Sequence, residues 1–315
     1  MKGQAAIEYI LTYWWVAVLI MIGIVVLFIY GPANYASLSP RAQPGSCQVY
    51  RPYGPSSTTL ETLQGLCGGE MPQYVISFNG KGGAWTFSCV TNGTCINFTP
   101  PFPNQGICNA TIVIWSYDTG MGSAGAITDT FGSWTDGSTA VPNVGALGGV
   151  VGMFNKTNTE GSLDIEYNDT VIRYEARNQI SRDQILLHED FYQKWVQTAI
   201  TLNNGVAVGY MNGVAVTPNS PNIGCIRLLT GSIGIWDRNF NGYITNLQIY
   251  NTSLSASSIQ QLYIEGAGGA PIALKNLAGW WPLNGNTNDY SGNRKNGLSQ
   301  DISFTGQYAT TYPTT

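Results

Sequence analysis

The chain of 315 residues is long enough for a membrane anchor and one β-sandwich, or for two small domains. Only 10% of its residues are charged and the formal net charge is −4, so the composition offers no basic surface for nucleic acid. Apolar residues make up 43% of the chain, which argues against extensive disorder, and the 38 glycines with abundant Tyr and Trp are typical of short strands joined by tight turns.

The N-terminus carries a long hydrophobic run. Tyr13 through Tyr30 contain no charged residue, and as a helix this stretch is about 27 Å long, close to the thickness of a bilayer core. Gly31-Pro32 then ends the helix. An ordinary cleaved signal peptide fits poorly because no small-residue cleavage site follows the run. Glu8, just before it, is costly beside a membrane and therefore points to a function.

The residues Lys2 to Glu8 resemble the start of archaeal type IV pilins with class III signal peptides, in which Lys-Gly precedes the cleavage site and Gln-x-(Ser/Ala)-x-Glu follows it. The resemblance implies that a prepilin peptidase cuts between Gly3 and Gln4. Residues 1–3 are then the leader and residues 4–30 the assembly helix. Glu8 would pair with the N-terminal amine of a neighbouring subunit, because a carboxylate buried among apolar helices needs a cationic partner. A plain membrane anchor is the alternative.

Residues 31–46 are rich in Pro, Ser and Ala and are predicted to be a linker. Beyond them, short apolar or alternating runs broken by Gly, Asn and Asp predict a β-sandwich or jelly roll. Asn212-Gly213 predicts a hairpin turn, and Ser255 is the predicted N-cap of a helix over Ser255–Tyr263. The predicted strands are Tyr74–Phe78, Ala84–Cys89, Thr111–Tyr117, Val150–Phe154, Leu163–Tyr167, Thr170–Glu175, Trp195–Leu202, Val206–Met211, Val214–Thr217, Gly234–Ile235 and Gly242–Tyr250.

The runs that begin at Trp195, Val208 and Phe240, followed by Leu254-Ser255 and Ile259 to Tyr263, resemble the laminin-G-like, concanavalin-type jelly roll. The resemblance covers roughly residues 74–265 and implies a mainly β head over residues 47–315. The segment from Gly279 looks like the family's opening segment, yet it follows the closing one. We therefore predict a circular permutation in which residues 277–308 supply the opening strands. A fragment of a second domain, and strand addition to a neighbouring subunit, are the alternatives.

The cysteines form no C-x-x-C pair, so their even number in an exported chain predicts disulfides and not a zinc site. Several pairings are open. Cys89–Cys95 is favoured because the residues between them form a hairpin-like turn, and Cys47–Cys67 comes second. The six residues are Cys47, Cys67, Cys89, Cys95, Cys108 and Cys225.

Asn-x-Ser/Thr sequons make several asparagines candidate glycosylation sites in an exported chain, although a composition rich in Asn and Thr produces some by chance. They are Asn92, Asn97, Asn109, Asn155, Asn168 and Asn251.

Catalysis is not predicted. Asp164 and Glu166 share one face of a strand, as the paired carboxylates of a glycosidase do, but the further acid of the hydrolase motif is missing at its usual spacing. We expect both to face solvent. His188, beside Glu189 and Asp190, is interpreted as part of a solvated loop cluster.

A glycan ligand and a structural Ca²⁺ are implied by the jelly-roll resemblance, and no other cofactor is predicted. Oxygen ligands for Ca²⁺ are available in turn-like stretches, at Asp118, Asp129, Asp136 and Asp289. The aromatic residues available to stack on sugar rings are Trp115, Trp134 and Trp236.

The sequence thus predicts a pilin-like subunit of an archaeal pilus or surface filament that displays an adhesive, glycan-binding head. Its predicted partners are other pilin subunits, the prepilin peptidase, membrane lipid and a glycan. A non-polymerising, membrane-anchored surface receptor is the alternative, and an extracellular glycosidase comes third.

Overall fold

In the computed structural model, the chain divides into two compact units, Met1–Gln43 and Pro44–Thr315. The structure describes residues 14, 18, 19, 21, 47–51, 62–65, 67, 71–80, 89, 94–102, 105–120, 148–155, 161–168, 171–178, 182–188, 192–216, 222–234 and 240–308.

The first unit contains four of these residues, Trp14, Val18, Leu19 and Met21, and all four have helical backbone. The rest of the predicted helix over 4–30, with Gly3, Gln4 and Glu8, lies outside the described residues. Within the part of the chain that the structure describes, no helix is long and apolar enough to cross a bilayer.

The second unit is a β-sandwich of antiparallel sheets, with one α-helix and one 3-10 helix among its described residues. The strands are β1 (Gln48–Tyr50), β2 (Thr62–Gln64), β3 (Val75–Asn79), β4 (Cys95–Phe98), β5 (Asn109–Asp118), β6 (Gly148–Phe154), β7 (Gly161–Asn168), β8 (Val171–Asn178), β9 (Arg182–His188), β10 (Trp195–Asn203), β11 (Val206–Met211), β12 (Val214–Ala215), β13 (Thr230–Ile233), β14 (Asn241–Tyr250), β15 (Leu277–Trp281), β16 (Leu298–Gln300) and β17 (Ser303–Thr305). The helices are α1 (Ala256–Glu265) and the 3-10 helix η1 (Leu274–Asn276).

Among the described residues, the larger sheet has eight strands in the order β12-β11-β10-β5-β14-β3-β17, with β15 also paired to β14. The facing sheet has seven strands in the order β16-β4-β13-β6-β7-β8-β9, and β1 and β2 form a separate ribbon. On β14, the edge opposite β5 is shared, because Asn241–Ile244 pairs with β3 and Leu247–Tyr250 pairs with β15.

Alternation along the strands divides each sheet into two faces. In β5, Ile112 and Ile114 belong to the central core, whereas Val113 and Trp115 belong to separate clusters on the outer face. Leu163 and other alternate residues of the facing sheet complete the central core. The outer face of the eight-stranded sheet is therefore also apolar, and α1 contributes Ile259 to its cover.

Most predicted elements occur at their predicted places. The two-residue turn at Asn212-Gly213 has positive φ values of 47° and 80°, as the hairpin prediction requires. The Ser255 hydroxyl accepts a hydrogen bond from Ser258 N at the start of α1, which makes it the predicted N-cap.

Some strand predictions were wrong or stay untested. The strand expected at Gly234–Ile235 is instead β13, which stops before Gly234 because that residue has a φ of 80°. The strand expected at Ala84–Cys89 lies outside the described residues, apart from Cys89. Strands β1, β2, β4, β9 and β16 were not predicted.

The C-terminal segment adds strands to both sheets of its own chain. β15 pairs with β14 and β17 with β3 in the larger sheet, whereas β16 pairs with β4 in the facing sheet. This is the arrangement expected if residues 277–308 take the place of opening strands. The permutation itself stays a prediction.

A buried polar network attaches β15 to β14. Asn246 lies at a bulge of β14, where its side-chain oxygen accepts hydrogen bonds from Trp280 Nε1 (2.9 Å) and Gln248 Nε2 (3.1 Å). Its amide nitrogen donates to the Gly269 carbonyl oxygen (2.8 Å). Tyr250 extends the network by donating to Gln248 Oε1 (2.6 Å). Buried polar groups of this kind are stable only when their partners are in place.

Disulfides join all six cysteines. The pairs are Cys47–Cys67, Cys89–Cys95 and Cys108–Cys225, and the first two are the pairs that the sequence favoured. Stable disulfides are a property of oxidising compartments, so the chain is a secreted or surface protein.

Candidate functional site: a tyrosine cluster at the strand ends

The outer face of the eight-stranded sheet carries a row of aromatic side chains across three neighbouring strands. Tyr117 at the end of β5 lies opposite Tyr243 near the start of β14 and opposite Trp195 at the start of β10. The centroid of the Tyr117 ring lies 5.7 Å from the centroid of the Tyr243 ring and 5.5 Å from that of Trp195. Antiparallel pairing places these three residues side by side because all occupy outward positions in the same register.

A second backbone segment brings Tyr192 to this row. Tyr192 forms an isolated bridge with Asp118, and the next residue, Gln193, donates its backbone N–H to the Asp118 carbonyl oxygen (2.9 Å). The Gln193 amide nitrogen lies 3.0 Å from the Tyr192 hydroxyl and donates to it. We call Tyr117, Tyr192, Tyr243 and Gln193 the tyrosine site.

The turn after β5 is shaped to receive Tyr192. Gly120 has a φ of +96°, and a Cβ atom at this position would lie 3.1 Å from the Tyr192 ring. Its N–H donates to Asp118 Oδ1 (2.9 Å), and its carbonyl oxygen accepts a hydrogen bond from the Asn241 amide. Glycine is therefore required here both by the backbone conformation and by the close approach of the ring.

The three phenol groups of the tyrosine site lie close enough to influence one another. Burial raises the pKa of the Tyr117 hydroxyl, and its neighbours Tyr243 and Tyr192 raise that pKa further. Tyr192 remains 43% exposed, whereas Tyr117 is only 8% exposed. The cluster is thus a hydroxyl-rich surface in which Tyr117 is buried and the Tyr192 ring is open to solvent.

This arrangement suits a ligand that has both apolar faces and hydroxyl groups. An exposed ring supplies an apolar surface at low conformational cost, and phenol and amide groups supply donors and acceptors around it. A saccharide ring has this combination of features.

The aromatic residues beneath the site are structural. Trp115, which we expected to be exposed for sugar stacking, is 1% exposed, because it stacks on Tyr263 of α1 with ring centroids 5.7 Å apart. Burial also raises the pKa of Tyr263. Trp134 and Trp236 lie outside the described residues.

The expectation that Asp164 and Glu166 face solvent was wrong. Both side chains are fully buried, as is Ser162 on the same face of β7. Asp164 lies opposite Glu175 of β8, whose carboxylate accepts a hydrogen bond from the Ser162 hydroxyl (3.3 Å). A glycosidase needs two carboxylates that reach its substrate. In this structure Asp164 and Glu166 line no surface open to one.

His188 is also placed differently from the expectation. It is the last residue of β9 and pairs with Val171 of β8, so its backbone belongs to the sheet and not to a loop. Its predicted neighbours Glu189 and Asp190 lie outside the described residues.

Of the four candidate Ca²⁺ ligands, the structure describes two, Asp289 and Asp118, and Asp118 is 1% exposed. Asp289 organises a C-terminal turn, since its carboxylate accepts hydrogen bonds from the backbone N–H groups of Trp280, Ser291 and Lys295. Within the described part of the chain, no group of three or more His, Cys, Asp or Glu residues is close enough to hold a metal ion. Asp129 and Asp136 lie outside it, and Ca²⁺ binding stays a prediction.

The tyrosine site as a whole could not be predicted from the sequence, because its members come from distant parts of the chain. One part of the site could be predicted, because alternation of side chains along β5 places Trp115 and Tyr117 on the same face of that strand. The neighbouring positions of Tyr243 and Tyr192 follow only from strand order.

Comparison with known proteins shows a likeness in fold. No protein-family model matches the chain, and no curated protein matches it. Solved structures with a similar arrangement include a heptameric SAP-like pentraxin from Limulus polyphemus (12% identity, 73% of this chain and 94% of that one, TM-score 0.45). A protein described as a candidate carbohydrate-binding protein from Bacteroides ovatus is 14% identical over 79% of this chain and 64% of that one, with a TM-score of 0.49. The mouse laminin α1 domains LG4–5 are 13% identical over 64% of this chain and 47% of that one, with a TM-score of 0.35.

Proposed function

We propose that this chain is a surface protein whose β-sandwich head binds a saccharide at the tyrosine site. The observation that carries the proposal is the convergence of Tyr117, Tyr192 and Tyr243 with the Gln193 amide at one end of the sheet. The site offers an exposed ring beside uncharged hydrogen-bonding groups, which is the chemistry of saccharide recognition.

Binding without catalysis is the mode that the head supports best. The paired acids Asp164 and Glu166 are buried and lie on β7 of the facing sheet, whereas the tyrosine site belongs to the outer face of the other sheet. A saccharide on the tyrosine site would therefore be remote from them. The glycosidase alternative has no support from this geometry.

Export of the chain is supported by its disulfides. Cys108–Cys225 crosslinks residues 117 positions apart, and a crosslink of this length stabilises a fold only where it is not reduced. An oxidising destination agrees with the export signal that the N-terminus resembles.

We further propose that the N-terminal helix carries the head into a filament, after removal of residues 1–3. The support is the order Gly3-Gln4 and Glu8 before an uncharged run of bilayer length. Mass spectrometry of the exported chain should give a mature N-terminus at Gln4. Glu8→Ala should abolish recovery of filaments while leaving the chain in the membrane, whereas Glu8→Asp should retain some assembly.

A membrane-anchored receptor that never polymerises is the second candidate. It rests on the same hydrophobic run without the processing motif. An exported chain that retains Met1, or normal behaviour of Glu8→Ala, would favour it over the filament subunit.

The saccharide proposal is tested by applying the full chain, in detergent, to a glycan panel with and without Ca²⁺. We expect a defined subset of glycans to bind, and binding that survives chelation of Ca²⁺, because the four side chains of the tyrosine site are uncharged and Asp118 beside them is buried. An absence of any bound glycan in both conditions would reject the proposal, and loss on chelation would place the binding elsewhere.

A further inference from the structure

The sequons differ sharply in how the fold presents them. A glycosyltransferase that modifies Asn-x-Ser/Thr must reach the asparagine amide nitrogen and the hydroxyl two residues later, because both define the acceptor. A sequon whose hydroxyl is buried, or whose backbone belongs to a sheet, cannot meet both needs without local unfolding.

Folding makes the sequon at Asn109 inaccessible to a glycosyltransferase. Its hydroxyl residue, Thr111, is fully buried within β5 and makes two hydrogen bonds, donating to the Thr252 carbonyl oxygen (2.8 Å) and accepting from Leu254 N (2.9 Å). The Asn109 side-chain oxygen accepts from Asn204 N (3.0 Å).

The sequon at Asn97 is inaccessible to a glycosyltransferase for a different reason. Asn97 lies in β4, which pairs with β13 on one edge and with β16 on the other. Its side-chain oxygen accepts a hydrogen bond from Cys89 N (3.2 Å). A backbone held on both edges cannot bend into an enzyme's active site.

The sequons at Asn92 and Asn155 are also unfavourable. Thr94, the hydroxyl residue of the first, is 4% exposed and donates to Asn79 Oδ1 (3.2 Å). Asn155 is itself 8% exposed. The side chain of Asn168, at the end of β7, is outside the description.

Asn251 is presented in the opposite way. It is exposed, it follows the last residue of β14, and residues 251–255 lie outside the sheet before α1 begins. Its backbone N–H donates to the Asn276 carbonyl oxygen (2.9 Å), and its side-chain oxygen accepts from Asn276 Nδ2 (3.4 Å). Among the described residues, its amide nitrogen has no acceptor. The hydroxyl residue Ser253 is only half-buried.

The two sequons at Asn109 and Asn251 are physically linked. The hydroxyl of Thr111, which the first would need, instead donates to the carbonyl oxygen of Thr252 in the second. The contact that closes Asn109 therefore also holds the turn that presents Asn251.

We infer that Asn251 is a glycan acceptor of the folded head, and that Asn109 can be modified only before folding. The donor is a lipid-linked oligosaccharide. Asn251 Nδ2 forms a bond to the anomeric carbon of the sugar, the bond from that carbon to the lipid phosphate breaks, the phosphate leaves with the electron pair, and the amide proton passes to solvent. This inference does not depend on saccharide binding at the tyrosine site.

The test uses the full chain, produced in a host without sequon-directed glycosylation and purified in detergent. Two samples are compared. One is the folded chain, and the other has been reduced, alkylated and unfolded in urea, which is then diluted. Each is treated with a purified oligosaccharyltransferase and its lipid-linked donor. A short sequon peptide in the same tube reports enzyme activity. Occupancy of each asparagine is measured by mass spectrometry of glycopeptides.

In folded chain we expect occupancy at Asn251 to exceed that at Asn109 by more than about tenfold, since opening β5 costs more than the ~1.4 kcal/mol that a tenfold ratio represents. In unfolded chain the two should be similar. Asn251→Gln should lower the total modification of folded chain, and Asn155→Gln should leave it unchanged. Equal modification of both sites in folded chain would overturn the inference, as would an unmodified Asn251 when the peptide is modified.

Discussion

Replacing Asn246 by alanine should strongly destabilise the head. The substitution leaves the buried Trp280 Nε1 without its acceptor. It also removes the shorter of two hydrogen bonds to the Gly269 carbonyl oxygen, which keeps only the 3.4 Å bond from Gln248 Nε2. Each unsatisfied buried group costs about 1–3 kcal/mol. Asn246 also has a φ of 52°, where alanine costs about 1 kcal/mol more than asparagine. Together these effects should lower the free energy of unfolding by about 2–4 kcal/mol.

Two further variants separate the causes. Asn246→Gly removes the same hydrogen bonds but tolerates the left-handed conformation, so it should lose about 1 kcal/mol less than the alanine variant. Asn288→Ala is the matched control, because Asn288 is exposed in the same C-terminal segment and its side chain makes no hydrogen bond within the described structure. Its effect should stay within about 0.5 kcal/mol.

The assay is urea unfolding of the disulfide-intact chain in detergent, followed by tryptophan fluorescence. An Asn246→Ala variant that loses less than about 1 kcal/mol would show that the network does not hold β15 to β14, because one unsatisfied buried group alone should cost that much.

Two other predictions concern stability. Replacing Cys108 and Cys225 by alanine should lower the free energy of unfolding by about 5 kcal/mol, because this disulfide closes a loop of 117 residues. Replacing Cys89 and Cys95, which close a loop of 6 residues, should lower it by about 2 kcal/mol. Equal losses in urea unfolding would contradict this. Burial raises the pKa of Tyr250 in the folded chain above its unfolded value of about 10, so its contribution is complete below pH 10 and is lost as the pH rises further. Urea unfolding between pH 9 and about pH 12 should show a steeper loss for the natural chain than for Tyr250→Phe, and parallel curves would refute it.

Much of the fold could be predicted from local pattern. Alternation located the long central strands β5, β10 and β14, and the Asn212-Gly213 turn fixed one hairpin register. Short edge or ribbon strands such as β16 and β2 carry too few residues for alternation to be visible, and their existence depends on pairing with distant partners.

The candidate site was less predictable, because it depends on which face of a strand is covered. Alternation placed Asp164 and Glu166 on one face correctly, but it cannot say whether that face is solvated, and the acids proved to be buried. For Trp115, the ring that covers it comes from Tyr263 of α1, which a strand pattern does not reveal.

The most direct test of the proposed saccharide site is the affinity of the best-bound glycan for three forms of the full chain. Tyr192 is 43% exposed in the tyrosine site, and Tyr50 is 47% exposed on β1 outside it, so alanine variants of the two remove equally accessible rings. We predict that Tyr192→Ala weakens binding by about tenfold or more, the effect of losing about 1.4 kcal/mol of ring contact, while Tyr50→Ala matches the natural chain. Equal affinity of all three forms would contradict the assignment of the site.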